Sequence, residues 1–238
     1  MKLDVLVFAA HPDDAELSMG GTIAKLTQHK HKVGIIDLTR GELGTRGTAE
    51  TRQKEAFKAS IVLKTEVREN LDIPDGNIQR SKENILKIVK EIRKYKPKII
   101  FAPYFNDRHP DHIHASQLVK EAMFASGLPK VVIKDKGVSL AAYRPEKLFY
   151  YMQTYTFKPT FIIDISKYFK TKMDAVKAYS TQFYDPKSSE PETFISNPDF
   201  LNYIESRAKF YGFQIRKNYG EPFFCEEDIE LDLSNFMK

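Results

Sequence analysis

The sequence is poor in the features that most often declare a chemistry. It holds one cysteine, Cys225, in 238 residues. That excludes an intramolecular disulfide and an all-cysteine metal centre, and fits a reducing, cytoplasmic setting. Cys225 stands between Phe224 and Glu226 with no neighbouring histidine and reads as a packing residue. No apolar run approaches the roughly 18 residues of a membrane-spanning helix. The best amino-terminal stretch, Val5 to Ala10, is also too short for a secretory signal core, and Asp4 interrupts its start. No GxGxxG follows the first expected strand, and there is no P-loop, GxSxG elbow, HExxH or CxxC. No repeat, low-complexity tract or long linker divides the chain, so one domain over 1–238 is expected.

Charge of one sign is also scarce. Lysine and arginine number 37 against 32 acids, a net +5. The basic clusters, such as His29 to Lys32 and Arg93 to Lys96, are scattered along the chain and read as solvated helix faces. Neither a nucleic acid nor a membrane is an expected partner. A nucleic-acid binder would need steep, salt-dependent DNA retention to return as a reading. Hydrophobic residues at 42% and charged residues at 29% are ordinary for a folded globular chain. At this length roughly 70% of the unfolded surface is buried, enough for a core without staples.

What is present is a regular alternation. Leu3–Ala10, Val33–Leu38, Glu66–Asn70 and Lys98–Ala102 read as strands. Between and after them, Ala15–Gln28, Ala49–Leu63, Ser81–Lys96 and Asp111–Ala125 read as helices. Ile85, Ile88, Val89 and Ile92 give the third helix its apolar face, with Ser81 as cap and Pro97 as stop. Strands alternating with such helices predict an α/β fold of βαβ units on a parallel sheet. Beyond Pro129, strands are expected at Val131–Ile133, Lys147–Met152 and Thr160–Ile165, and helices within Ile165–Thr181 and Asp199–Tyr211. Asp185 to Pro198 reads as a surface loop.

Two segments carry the chemistry: Ala10-His-Pro-Asp-Asp-Ala-Glu16 after the first strand, and Arg108-His-Pro-Asp-His112 after the fourth. In the doubly wound order 3-2-1-4, strands one and four are neighbours, and their carboxyl ends flank the crevice where such sheets bind ligands. His11, Asp14 and His112 then offer two imidazoles and a carboxylate, which suits a catalytic divalent metal with a position left for water. Zinc is the expected ion, and iron, cobalt or nickel accept the same donors. Of the adjacent Asp13 and Asp14, one can ligate while the other serves as general base. His109 and His112 share a first helical turn, so one can ligate while the other faces substrate. Asp111 is placed to hydrogen-bond the His109 ring. The plainer readings are helix caps and first-turn acids, and they explain either segment alone better than both together. The loop Asp37 to Gly47 carries three glycines and can approach a ligand closely. Arg52, at the start of the next helix, can clamp an anionic or hydroxyl-rich substrate. Asp107 and Arg108 read equally as substrate-facing groups or as a mutual pair.

At these residues the chain resembles the LmbE-like/PIG-L family of zinc-dependent N-deacetylases, whose hallmarks are AHPDDxE after the first strand and a later HPDH. DLTRGELGTRG at 37–47, RENLDIPDG at 68–76 and APYFNDRHPDH at 102–112 resemble the bacillithiol-biosynthesis branch. The resemblance implies a Rossmann-like three-layer α/β/α fold with a mostly parallel sheet, and removal of the N-acetyl group from N-acetylglucosaminyl-malate. It implies zinc on His11, Asp14 and His112, and Asp13 as base. His109, supported by Asp111, would stabilise the oxyanion or protonate the leaving amine, and Arg52 would contact substrate. Some members carry Tyr where Asp107 stands, and His where Tyr179 stands. Homo-oligomers, often hexamers, are also implied. For the anionic malate end of such an amino-sugar conjugate, Arg46, Arg52 and Arg108 are the expected contacts. The alternatives are another acetylated amino sugar, such as chitobiose, a lipid-linked sugar or a thiol conjugate, and a non-catalytic sugar- or nucleotide-binding module with a structural metal.

Overall fold

A computed structural model describes residues 1–232; the last six positions of the expected 1–238 domain lie outside the described residues. The elements run β1 (Val5–Ala9), α1 (Asp14–Gln28), β2 (Val33–Asp37), α2 (Ala49–Leu63), β3 (Val67–Asn70), α3 (Lys82–Tyr95), β4 (Ile99–Pro103) and α4 (Pro110–Ser126). Then follow β5 (Lys134–Asp135), β6 (Val138–Ser139), β7 (Lys147–Tyr151), β8 (Phe161–Asp164), α5 (Phe169–Lys177), α6 (Phe200–Gln214) and β9 (Gly220–Phe224). The main sheet has the order β3-β2-β1-β4-β7-β9-β8. Its first five strands pair in parallel, and β9 runs antiparallel to both neighbours.

The central strands are apolar on both faces because helices cover both sides. On β1, Val5, Val7 and Ala9 pack with Ile23, Ala59, Val176 and Ile204 from α1, α2, α5 and α6. Leu6, Phe8 and Ala10 point the opposite way, to Ile88 and Ile92 of α3 and to Leu118 and Val119 of α4. This period of two along one strand builds the three-layer sandwich.

The half up to α4 follows the expected pattern with ends shifted by one or two residues. The second half departs in three places. The strand expected at Val131–Ile133 does not form; Ile133 is buried in the core instead. Just beyond it, Lys136 and Gly137, with φ of 47° and 84°, turn β5 back on β6 as a separate hairpin. β9 has no counterpart among the expected elements. Pro222 has a register partner on β8, Ile162, but none on β7, whose pairing stops at Phe223. A proline is tolerated where no ladder bond is demanded of it. The helix expected within Ile165–Thr181 is found there, as Phe169–Lys177.

α1 is broken at Met19 (φ −139°). Its second stretch starts with the N–H groups of Gly21 and Thr22 bonded to the Glu221 carboxylate of β9, at 3.0 and 2.7 Å. Lys172 of α5 meets the same carboxylate at 2.6 Å. At Gly21 a Cβ would lie 2.7 Å from Ile165, so only glycine fits that approach.

Candidate metal centre and active site

β1 and β4 are neighbours in the sheet, so the segments after their carboxyl ends meet. His11 and Asp13 lie in the turn that follows β1. Asp14 and His112 sit in the first turns of α1 and α4. Ligand atoms of His11, Asp14 and His112 lie within 4.8 Å of one another, all three side chains buried. Asp14 Oδ2 is 3.6 Å from His11 Nδ1, and Asp14 Oδ1 is 3.3 Å from His112 Nε2. The far nitrogen of each ring is held by a further carboxylate. Asp107 Oδ1 is 2.9 Å from His112 Nδ1, and Asp75 Oδ1 is 3.1 Å from His11 Nε2. This fixes which nitrogen of each ring faces the shared space, the arrangement that outer carboxylates impose on ligating histidines.

The local field is short of positive charge. Burial would lower both imidazoles, but Asp111, Asp14 and Asp75 draw His11 well above its ordinary pKa. Asp14 and Asp107 likewise raise His112 to about 9. Asp14, which burial alone would raise, is held well below the usual carboxylate range by His112 and His11. A donor set of this composition fits a divalent cation, which would supply the charge the carboxylates demand. Among the described residues a second group of possible ligands, His11, His109 and Asp111, shares His11 with the first.

Asp13 differs from its neighbour. Its φ of 115° is uncommon for a side chain larger than glycine, and its carboxylate caps no helix N–H. Instead Asp13 Oδ2 lies 3.2 Å from Arg52 Nη2. Burial pushes the Asp13 carboxyl up to about 7, against the pull of Arg52. Two adjacent carboxylates are thus driven apart, one kept ionised and one able to take a proton near neutrality. Arg52 also donates to the carbonyls of Pro12 and Gly41. A Cβ on Gly41 would fall 2.0 Å from its Nη1, so the glycine loop is shaped around this arginine.

His109 caps α4: its Nδ1 accepts the Asp111 N–H at 3.2 Å. Neutral His109 therefore carries its proton on Nε2. Burial, followed by His11 and His112, lowers its pKa and favours that neutral form. The ring stacks on His112 with centroids 4.9 Å apart.

These groups line a cavity of about 480 Å³, within the range of small-ligand sites. Gln153, Phe194, Phe200, Tyr203, Ile204 and Arg207, from the second half of the chain, line the same cavity.

A family model described as PIG-L: GlcNAc-PI de-N-acetylase matches residues 6–123. The diacetylchitobiose deacetylase of Thermococcus kodakarensis is 33% identical over 244 residues, covering 98% of this chain and 86% of that protein. The chain belongs to the PIG-L de-N-acetylase family. Among solved structures, the conserved protein TT1542 from Thermus thermophilus is 36% identical with a TM-score of 0.87, covering 97% of each chain. The N,N'-diacetylchitobiose deacetylase from Pyrococcus horikoshii, solved with an inhibitor, is 28% identical with a TM-score of 0.79, covering 92% of this chain and 82% of that one.

Against this family background, three sequence expectations need correcting. Asp111 does not hydrogen-bond the His109 ring through its side chain. Its backbone N–H does so, while its carboxylate accepts the Gly76 N–H at 2.8 Å and lies 3.4 Å from His11 Nε2. The reason is the capping geometry, which turns the His109 ring onto the helix N–H. Arg46 does not line the cavity. It is buried, with Nε bonded to Thr181 O at 2.9 Å and 3.7 Å from Glu190, so its charge ties the glycine loop to the 181–190 segment. Asp107 neither faces substrate nor pairs with Arg108. Besides His112, it accepts from the N–H groups of Thr154, Tyr155 and His109. Arg108 does line the cavity, exposed, with its guanidinium 4.5 Å from the centre of the Phe194 ring.

Sequence reading missed Asp75 as a site residue. It sits in the Ile-Pro-Asp-Gly turn at 73–76, within the 68–76 stretch quoted above only for its resemblance to a family branch; the turn residues themselves are the local signal. The wall from Gln153 to Arg207 carried no sequence signal, because ordinary aromatic and polar residues line it.

Proposed function

We propose that this chain is a zinc-dependent N-deacetylase that hydrolyses the acetamide of an N-acetylglucosamine unit in a short sugar conjugate, with N,N'-diacetylchitobiose the leading substrate. The observation that carries the reading is the convergence of His11, Asp14 and His112 within 4.8 Å at the edge of a cavity that Asp13 also lines. The substrate choice rests on two of the relatives, whose names are diacetylchitobiose deacetylase; neither name points to the malate conjugate that sequence analysis put first.

His11 Nδ1, Asp14 and His112 Nε2 would hold the cation. A divalent ion so held supplies Lewis acidity toward a carbonyl oxygen and acidity to water. Asp13 takes the proton of the attacking water as its oxygen bonds to the acetyl carbon. The His109 Nε2–H donates to the carbonyl oxygen as that oxygen gains charge. When the C–N bond breaks, Asp13 returns its proton to the leaving nitrogen, giving acetate and a free amine. Arg52 holds Asp13 in place through its bonds to Pro12 and Gly41 and faces the sugar from the cavity wall.

The test is acetate release from diacetylchitobiose, N-acetylglucosamine and N-acetylglucosaminyl-malate, with chelator and then with zinc restored. Turnover of the disaccharide that is lost on chelation and regained with zinc is the expected result. Zinc-loaded protein that releases acetate from none of the three overturns the reading. One observation favours a second substrate class: Arg108 has no carboxylate partner among the described residues and stands at the cavity over Phe194. A marked preference for the malate conjugate that disappears in Arg108→Ala would establish an acidic substrate.

A further inference from the structure

Beneath the metal-binding turn lies a second layer of charge that the reaction does not use. Glu16, in the first turn of α1 two residues after Asp14, is fully buried. Its Oε1 accepts from Arg68 Nη1 and from the Tyr179 hydroxyl, the latter at 3.3 Å. Arg68, from β3, turns its Nε and Nη2 onto both oxygens of Asp37 at the end of β2, at 2.8 and 2.9 Å. It also reaches the Ala56 carbonyl of α2 at 3.4 Å. Tyr179 is itself fixed, because the following Ser180 and Thr181 bond to Glu55 of α2 at 2.8 to 3.0 Å. One guanidinium thus ties the end of β2, β3 and α2 to the first turn of α1.

That turn needs tying. Asp13 is held at a φ of 115°, a conformation that persists only where its surroundings over-determine it. On one side Arg52 grips Pro12 and Asp13. On the other, Glu16 is the side chain of α1's first turn anchored by an ion pair to the sheet. Burying two carboxylates against one guanidinium, with Glu16 Oε2 left without a partner, is a costly way to stabilise a core. Such an arrangement is better explained by what it orients.

We infer that Glu16, Arg68 and Tyr179 are positioning residues for the metal site, holding Asp13 and Asp14 in the arrangement that binds the cation and aims the base. The inference rests on the metal-dependent reading above. It assigns to the Glu of the AHPDDAE segment a part distinct from ligation and from substrate contact.

The test uses two near-isosteric variants of the full chain, Glu16→Gln and Tyr179→Phe, with Arg68→Lys as a third. Three readouts are taken: kcat and KM for acetate release, zinc retention against a chromophoric chelator, and the visible spectrum of the cobalt-substituted protein. Outer-layer partners of metal sites typically change affinity or activity by about 10- to 100-fold. Glu16→Gln is expected to weaken zinc retention and lower kcat by roughly tenfold or more, with KM within about twofold, and to alter the cobalt spectrum. Tyr179→Phe, which removes one hydroxyl at unchanged volume, is expected to do the same by about threefold. Lysine at 68 cannot bond two carboxylates in a fork and should not rescue. A merely structural network would lower the melting temperature while leaving zinc retention, kcat and the cobalt spectrum of the folded protein unchanged, and that result overturns the inference. If Glu16→Gln fails to fold, Tyr179→Phe decides alone. Zinc retention and cobalt absorption are read without substrate, so a wrong substrate leaves this test intact. Wild-type protein that takes up no metal would overturn the proposed function and this inference together.

Discussion

The half of the chain up to the end of α4 and the half beyond it divide the labour of the site. Every candidate ligand and proton-handling group, from His11 to His112, lies in the first half. The family model also matches within that half, over residues 6–123. The second half supplies further cavity wall, from Gln153 to Arg207, and the antiparallel edge of the sheet. The first half presents a reaction; the second presents a shape. Where two proteins share the first and differ in the second, the same hydrolysis can be turned on different sugars, because walls rather than ligands touch the part of the substrate that does not react.

The division is open to attack at both ends. The largest effect is expected at Asp13. Asp13→Asn should lower kcat by roughly 10²- to 10⁴-fold while bound zinc, measured by atomic absorption, stays near one ion per chain. Loss of the metal together with activity would make Asp13 a ligand rather than the base. Next comes Asp107→Asn. Weakening the carboxylate that orients His112 should cost about 10- to 100-fold in zinc affinity, read by chelator competition. A wild-type affinity would show that His112 needs no such support.

On the other side of the division, Phe194→Ala removes an exposed ring at the cavity. Stacking contacts of this kind are worth about 1 kcal/mol, so KM should rise by roughly five- to tenfold with kcat nearly constant. A fall in kcat with KM unchanged would mean that the second half takes part in the chemistry, and the comparison would break there.

The smallest effect lies outside both walls, on α3. Burial first, and then the neighbouring Glu69, push the Glu91 carboxyl from its ordinary 4.5 up to about 7. Between those values the folded chain keeps a proton that the unfolded chain has lost. Stability contributed by this group is therefore present at low pH and declines as pH rises from about 4.5 toward 7. Glu91→Gln should remove that decline. Relative to the variant, the wild-type melting temperature is expected to fall by about 2–4 °C between pH 5 and 7 for each kcal/mol involved. Parallel melting curves across that range would remove Glu91 as the source.

Legibility follows the same line. In the first half the helices could be read almost to the residue: Ala49–Leu63 is found as expected, and Ser81–Lys96, with its apolar face and Pro97 stop, as Lys82–Tyr95. In the second half the pattern is weak because the elements depend on distant partners. β9 contains Gly220 and Pro222, poor strand formers, and is held by β8 on one side and by β7 on the other. Propensity loses to tertiary context there. In the site, residue types at the ends of the first and fourth strands announced His11, Asp13, Asp14, His109 and His112. The bonds of Asp111, Arg46 and Asp107 could not be read, since each is set by which way a loop turns its side chain.

The amino-acid order alone determined that apolar strands alternate with capped amphipathic helices, and that histidines and aspartates follow two of those strands. Both are local facts, written within a few consecutive residues. That Asp75 backs His11, that Arg46 is spent inside the fold, and which later residues line the cavity were decided by packing between residues up to 190 positions apart. Hydrogen-bond partners at that separation are chosen by three-dimensional geometry, and no spacing rule along the chain encodes them.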